Sequence, residues 1–249
     1  MEIHHHPRHS GKPLNFKEYL FEFLVIFIAI AGSFFAENLR EHYIDKHKEK
    51  EYMISLLLDL KAESLRLADA IDQDNSQIKG LDSLLDVMNN KLVGNEKNRF
   101  HYFNFKYAYS YNAFIPVAGT LNYLMNTEGL NLIKDLAVLD GIVIYSNGIN
   151  SIHNQGELLE TRYQKILDQQ KDIIDIQTVM KLKHESSILE IKEYPDLLAT
   201  DKKTINAYYF TITSFRGVII GYSQRLNDLM EQNTFLFQLI QNEYNLEDD

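Results

Sequence analysis

One apolar run near the start of the chain, Tyr19–Ala36 (YLFEFLVIFIAIAGSFFA), constrains the fold more than any other stretch. A helix that crosses a bilayer needs about 20 mostly apolar residues. The uncharged part, Phe23–Ala36, is shorter than that, so the span reaches back to its first tyrosine and includes Glu22. A tyrosine at one end and Arg40 beyond the other are residue types that favour membrane interfaces. The sequence therefore predicts a transmembrane anchor over residues 15–39.

Two other interpretations apply to an apolar run at this position. A cleaved signal peptide would use Ala29 and Ala31 as the small residues of its cleavage site. Against this, Glu22 lies inside the apolar region, and the helical pattern continues through 37–40. A buried core helix would need other segments apolar enough to surround it, and the rest of the chain is polar on average. The pattern favours an uncleaved anchor.

The small and charged residues of the run share one face of the predicted helix. At about 100° per residue, one narrow stripe contains Glu22, Ala29, Ser33, Ala36 and Arg40. Small residues four apart let helices approach closely in lipid, and an ionisable residue within a span usually faces protein or water. We call these five residues the anchor stripe and predict that they form a membrane-helix interface with a second copy or another membrane protein. In the alternative, Glu22 lies at headgroup depth and the small residues are incidental.

The composition limits the remaining protein classes. Of 249 residues, 45% are hydrophobic, which is enough for a core, and only 11 glycines and 4 prolines argue against a loop-rich or all-β fold. The absence of cysteine excludes disulfides, cysteine-based zinc sites and a cysteine nucleophile. A net charge of -10 argues against nucleic acid as a partner, because such binding depends on lysine and arginine contacts to phosphate.

Beyond the anchor, three long stretches repeat apolar residues every three or four positions, as helices with one buried face do. We predict one helix over 15–92, a second over 136–183 with Asp135 as its N-cap, and a third that begins at Thr200 or Asp201. The repeat is clearest in the third helix, where its positions are Ile205, Tyr208, Ile212, Phe215, Ile219, Tyr222, Leu226, Leu229, Asn233, Leu236 and Ile240.

Three apolar stripes in one chain favour packing against each other over a coiled-coil oligomer that uses one of them. The predicted fold is all-α: an N-terminal transmembrane helix continuous with a long antiparallel bundle of three to four helices. In domain terms, residues 1–14 are a mobile tail, 15–39 the anchor, and 40–245 the bundle with an irregular connector over 93–135.

The connector contains an aromatic run in which rings recur at every second residue. These rings are Phe103, Phe105, Tyr107, Tyr109 and Tyr111. A period of two is typical of a strand, which could pair with 187–193, but an extended segment along the bundle surface is favoured. A ligand groove lined by the five rings is the functional alternative. A short helix is predicted over 116–127, started by a proline and ended by Gly129.

Catalytic and metal signals are weak. A cluster of His4, His5, His6 and His9 supplies imidazoles that bind Zn²⁺, Ni²⁺ or Cu²⁺. A flexible polar tail or the remnant of a tag is the favoured interpretation of this cluster, and no cofactor is predicted. The sequence lacks a glycine-rich phosphate loop, a G-x-S-x-G elbow and an H-E-x-x-H pair, and its acidic residues are placed on solvent-facing helix positions. We therefore predict that the chain is not an enzyme.

Four segments carry a family resemblance: MEIHHHP over 1–7, FKEYLFEFLVIFIAIAGSFFAENLREH over 16–42, EYMISLLLDLKAE over 51–63 and TLNYLMNTEGLNLIKD over 120–135. They resemble an uncharacterised family of small bacterial single-span membrane proteins. The resemblance implies that the histidines are native and that the protein lies in the bacterial inner membrane with its helical body in the periplasm. It transfers no activity and no functional residue. The aromatic run is not a feature of that family.

Three functions remain as hypotheses. The leading one is a membrane-anchored, non-enzymatic interaction or scaffold protein that meets a copy of itself or a membrane partner through the anchor stripe. The second is a sensor-like ligand-binding module that signals through the anchor to a partner. The third is a proton-linked role for Glu22 in a membrane complex. Charge does not decide the orientation, because the lysines and arginines on the two flanks of the anchor are nearly balanced.

Overall fold

The computed structural model describes residues 16–127, 129–183 and 187–246, and all regular structure within these ranges is helical. The α-helices are α1 (Phe16–Met88), α2 (Gly94–Phe103), α3 (Gly119–Asn126), α4 (Gly129–Leu132), α5 (Leu136–Gln170), α6 (Ile176–Leu182) and α7 (Lys202–Tyr244). A π-helical turn covers Asn104–Ala108, and a 3-10 turn covers Ile188–Glu190. The predicted all-α class is confirmed for the described residues.

The chain divides into two compact units between Glu51 and Tyr52. We call residues 16–51 the anchor unit and residues 52–246 the body; α1 contributes residues to both. In the anchor unit, the apolar side chains of the predicted span are exposed, and the most apolar window has a mean hydropathy of 2.1 with no buried residue. The predicted tail over 1–14 lies outside the described residues.

The core of the body is formed by the predicted apolar stripes. Ten of the positions on α7 named above are buried, from Tyr208 to Ile240, and Ile205 is partly buried. Helices α5 and α7 pack antiparallel: a Cβ atom on Gly141 would lie 3.1 Å from Leu236, while Gln170 at the other end of α5 bonds to Tyr208. The body part of α1 adds buried leucines to the same core, as predicted.

The helix starts follow the capping signals. Asp135 accepts a hydrogen bond from the amide of Val138, and Asp201 accepts bonds from the amides of Lys203 and Thr204, so both are N-caps as predicted. The predicted end of the second helix is wrong, because α5 stops at Gln170 and not near residue 183.

A turn after Gln170 buries Ile173 and Ile174 side by side, which a continuous helix would place on different faces. Asp175 then starts α6 by accepting hydrogen bonds from the amide and the hydroxyl of Thr178. This Asp-x-x-Thr spacing was a readable N-cap signal inside the predicted helix.

The connector is more regular than predicted. The first three rings of its aromatic run lie on α2 and the π-helical turn, and Tyr109 and Tyr111 follow in the irregular segment after that turn. Residues 187–193 contain a 3-10 turn instead of a pairing strand. The short helix begins at Gly119, three residues after Pro116, and stops at Asn126. The strand-like period misled because rings two apart on a helix point in nearly opposite directions, so alternation here separates two helical faces.

Candidate functional site

The anchor stripe lies on exposed positions of the anchor unit. The hydroxyl of Ser33 donates to the carbonyl oxygen of Ala29 over 2.9 Å, which satisfies it within the helix. Arg40 pairs with Glu37, at 2.5 Å from Nη2 to Oε1 and 3.1 Å from Nε to Oε2. The stripe is therefore available to a partner, with its only hydroxyl satisfied and its arginine paired locally.

The five rings of the aromatic run do not line one groove. Phe103 and Tyr107 form one stacked pair with centroids 6.3 Å apart, and Phe105 and Tyr109 form a second, edge-on pair at 5.6 Å. The two rings of each pair are four residues apart in the sequence, and the two pairs lie on different sides of the helical segment. Tyr111 follows the helical segment and contacts the ring of Tyr163 on α5 at 5.1 Å.

One pair lines a pocket. Phe105 and Tyr109 form part of the wall of a cavity of about 310 Å³. The remaining wall is mostly aliphatic and comes from Leu167, Ile174 and Ile176, on α5, the turn after it and α6. The pocket exists because α5 ends early, which carries two isoleucines around the end of the helix to face the aromatic segment.

A buried polar cluster lies at the pocket. Gln170 also lines the pocket, and its Nε2 donates to the hydroxyl of Tyr208 over 2.9 Å and to Oδ1 of Asn104 over 3.2 Å. Tyr208 in turn donates to the same Oδ1. Burial raises the pKa of Tyr208, so the phenol stays neutral. Tyr208 lies on the predicted apolar stripe of α7, and Gln170 continues the three-four spacing of Leu159, Tyr163 and Ile166 on α5. A polar residue within such a stripe is the signal that marks the cluster.

His101 was missed by the sequence reasoning. It is fully buried, stacks on Tyr194 with centroids 4.7 Å apart, and places Nε2 3.2 Å from the carbonyl oxygen of Pro195. Burial lowers its pKa to about 4, so the imidazole is neutral at pH 7. The neutral ring of His101 packs behind the pocket wall, because Phe105, which lines the pocket, stacks on it with centroids 5.9 Å apart.

The expectation that the acidic residues occupy solvent-facing helix positions is wrong for Glu63. Glu63 is fully buried and its Oε2 accepts a hydrogen bond from the amide of Val117 over 2.6 Å; burial raises its pKa. Asp59 accepts from the amide of Thr120 over 3.0 Å. These carboxyls hold the segment before α3 against α1, and sequence alone does not indicate that pairing because the partners lie more than 50 positions apart.

A wider groove of about 670 Å³ lies between the end of α1 and the start of α7, where Lys91 and Lys202 bring positive charge. Asp201 already caps that end of α7, so the helix amides there are satisfied by the chain itself. Among the described residues, no group of three histidine, cysteine, aspartate or glutamate side chains is arranged to hold a metal ion. The four tail histidines lie outside the described residues.

Comparison of the chain with protein-family models, with curated proteins and with solved structures gives no match. The resemblance to a family of bacterial single-span proteins therefore stays a prediction.

Proposed function

We propose that the protein is a membrane-anchored, non-enzymatic interaction or scaffold protein. The supporting observation is the anchor unit: its most apolar window has a mean hydropathy of 2.1, and none of it is buried by the described residues. Each apolar Å² left in water costs about 25 cal/mol, so exposed rings such as Phe21, Phe27 and Phe34 would together carry a penalty that lipid removes. A bilayer is the environment that suits such a helix.

The finer architecture is part of the proposal. We propose that one helix runs from the anchor into the body without a break, and that the long helices of the body form an antiparallel bundle of three to four helices. The antiparallel packing of α5 on α7 supports the bundle, as does the bond from Asn233 of α7 to the backbone oxygen of Leu60 in α1. A bundle of this kind presents extended helical surfaces that suit contact with other proteins.

The location proposed for the protein is the bacterial inner membrane with its body in the periplasm, and it rests on the family resemblance. Since the chain has no cysteine, a single introduced cysteine reports the side on which it lies. Full-length chains carrying Lys12→Cys in the tail or Glu231→Cys in the body are expressed in bacteria and treated with a maleimide that cannot cross the inner membrane. The expected result is label on Glu231→Cys in cells with only the outer membrane opened, and label on Lys12→Cys only after lysis.

Reversed labelling would place the body in the cytoplasm, and recovery of the chain in the soluble fraction would overturn the anchor. Carbonate extraction of the same membranes gives the second measurement: an integral anchor stays in the pellet, whereas a peripheral protein is released.

The partner proposed for the anchor stripe is a second copy or another membrane protein. Glu22→Leu and Ser33→Leu should each abolish a crosslinked species that the parent chain forms in membranes. Ile28→Leu, which changes a residue of the same helix off the stripe, is the matched control and should leave that species unchanged. A crosslinked species that survives both stripe variants assigns the interface to another surface.

A second candidate, the sensor-like ligand-binding module, is favoured by one observation. The pocket beside Phe105 and Tyr109 combines an apolar wall with a buried amide, which is the usual composition of a small-molecule site. In this function the anchor passes the bound state of the body to a membrane partner.

A further inference from the structure

The pocket beside Phe105 and Tyr109 has a wall that is formed before any ligand arrives. The ring of Phe105 stacks on His101 with 16° between the ring planes, and His101 stacks on Tyr194 with 8° between them. Behind the pocket there is thus a column of three rings, with the fully buried imidazole of His101 in the middle and hydrogen-bonded to Pro195. Because the column is packed, Phe105 presents a fixed surface to the pocket.

The volume limits what the pocket can hold. A cavity of about 310 Å³ is at the lower end of the range of about 300–1,000 Å³ typical of ligand pockets. Its rings and aliphatic side chains favour an apolar body, and two aromatic walls reward an aromatic ligand beyond the area that it buries. A molecule of one or two fused rings suits this space.

One polar atom gives the pocket its orientation. Gln170 is only 5% exposed, and its Nε2 is committed to Asn104 and Tyr208 on the inner side. Its Oε1 receives no hydrogen bond from the described residues, although the residue lines the pocket. The oxygen retains a little accessible surface, so a ligand N–H or O–H group that enters the pocket can replace water as its donor.

The charge at the rim is already neutralised. Lys171 lines the pocket, but its ammonium lies 2.5 Å from Oδ1 of Asp168. An anionic ligand would have to compete with that carboxylate, whereas a neutral ligand needs no counter-ion. The site therefore favours a neutral donor over a carboxylate or phosphate.

We propose that this pocket binds a small, neutral, planar aromatic molecule that donates one hydrogen bond to Gln170 Oε1, of the class to which indole and phenol belong. This site specifies the ligand class for the second candidate function, the sensor-like module. Only the signal that follows binding rests on that proposed function. Binding itself is independent of the anchor stripe, so each can fail without the other.

Indole is the probe, because the chain contains no tryptophan and indole fluorescence can be excited without a protein background. The full-length chain in lipid nanodiscs is titrated with indole, and emission and anisotropy are followed, with empty nanodiscs as the blank. We expect saturable binding at one site per chain, and an affinity for 1-methylindole, which lacks the N–H donor, that is about tenfold weaker.

Two variants fill the pocket from different walls. Leu167→Phe on α5 and Ile176→Phe on α6 should each remove saturable binding, and Leu158→Phe, an exposed leucine on α5 away from the pocket, should retain it. Circular dichroism establishes which variants fold, and either folded filling variant is sufficient for the test.

The proposal is overturned by non-saturable uptake equal to that of empty nanodiscs, by equal binding of indole and 1-methylindole, or by full binding to a folded filling variant. Carbonate extraction of the bacterial membranes that contain the same chain tests the anchor separately. If the chain stays in the membrane but does not bind indole, the pocket proposal is removed and the scaffold function is left in place. If the chain binds indole but is released from the membrane, the pocket proposal stands and the membrane-anchored function is removed.

Discussion

The ring of Tyr107 lies directly against the backbone of Gly80 on α1. A Cβ atom built on Gly80 would lie 2.1 Å from Cγ of Tyr107 and within 2.3 Å of two further ring atoms. Gly80 is itself buried. The glycine therefore serves close approach of a ring to a helix, and its position in the middle of an apolar stripe has a packing reason.

The first prediction is that Gly80→Ala destabilises the protein, although alanine favours a helix over glycine by about 1 kcal/mol. The added methyl group must displace the ring of Tyr107, which is held between Gly80 and Phe103. We expect a net loss of about 1–3 kcal/mol in the free energy of unfolding, measured by denaturant titration of the full-length chain.

Gly217→Ala on α7 is the matched control for Gly80→Ala. A Cβ on Gly217 meets nothing within 4 Å, so only the helix propensity changes and the variant should be as stable as the parent or slightly more so. Equal effects of the two substitutions would show that the contact between Gly80 and Tyr107 does not matter for stability.

The helical stripes were predictable because each depends on local spacing. Tyr208, Phe215 and Leu226 are buried where the three-four repeat of α7 places them, and the Asp201 cap sets the start of that helix. The same reasoning failed for α5, where the apolar rhythm persists past Gln170 while the chain turns. The apolar spacing does not indicate where the helix ends, because it does not show that Ile173 and Ile174 are both buried in the core.

The candidate pocket was predictable only in part. The rings of Phe105 and Tyr109 were identified, but a period of two placed them with Phe103 and Tyr107, which lie on another face. The polar groups that meet them come from residues far along the chain, such as Gln170. Contacts between residues so far apart in the chain depend on tertiary packing, and no local sequence pattern predicts them.

The second prediction concerns the buried amide of Gln170. Gln170→Leu removes the donor that reaches both Tyr208 and Asn104, and leaves their oxygens in the interior with one partner fewer. We expect a loss of about 1–3 kcal/mol in the free energy of unfolding. In a double-mutant cycle with Tyr208→Phe, the two losses should be less than additive, because both variants break the same bond. Strict additivity would argue against the cluster acting as a unit.

The third prediction concerns the segment that Glu63 holds against α1. Glu63→Ala removes the acceptor of the Val117 amide, so hydrogen exchange at that amide should accelerate by about tenfold relative to Ile219 in the core of α7. Glu63→Gln retains an acceptor oxygen and is the control, with a smaller change. Uniform acceleration at both amides in Glu63→Ala would indicate a global loss of stability and contradict the local role.

The fourth prediction is a pH dependence that comes from Asp74 on α1. Its side chain is 2% exposed, one of its oxygens has no hydrogen-bond partner among the described residues, and burial raises its pKa from 3.8 to about 7. The nearby Tyr222 responds in the same direction: burial raises its pKa, and the charge of Asp74 adds to the shift.

Between pH 4 and pH 7 the folded chain therefore keeps a proton on Asp74 that the unfolded chain has lost, and stability falls as the pH rises through this window. Asp74→Asn is neutral at every pH, so it should match the parent near pH 4 and exceed it at pH 8 by on the order of 2–4 kcal/mol. Denaturant titrations across this range measure the difference, and Asp72→Asn, an exposed neighbour, should show none. A parent that is as stable as Asp74→Asn at pH 8 would mean that the buried carboxyl finds a compensating partner in solution.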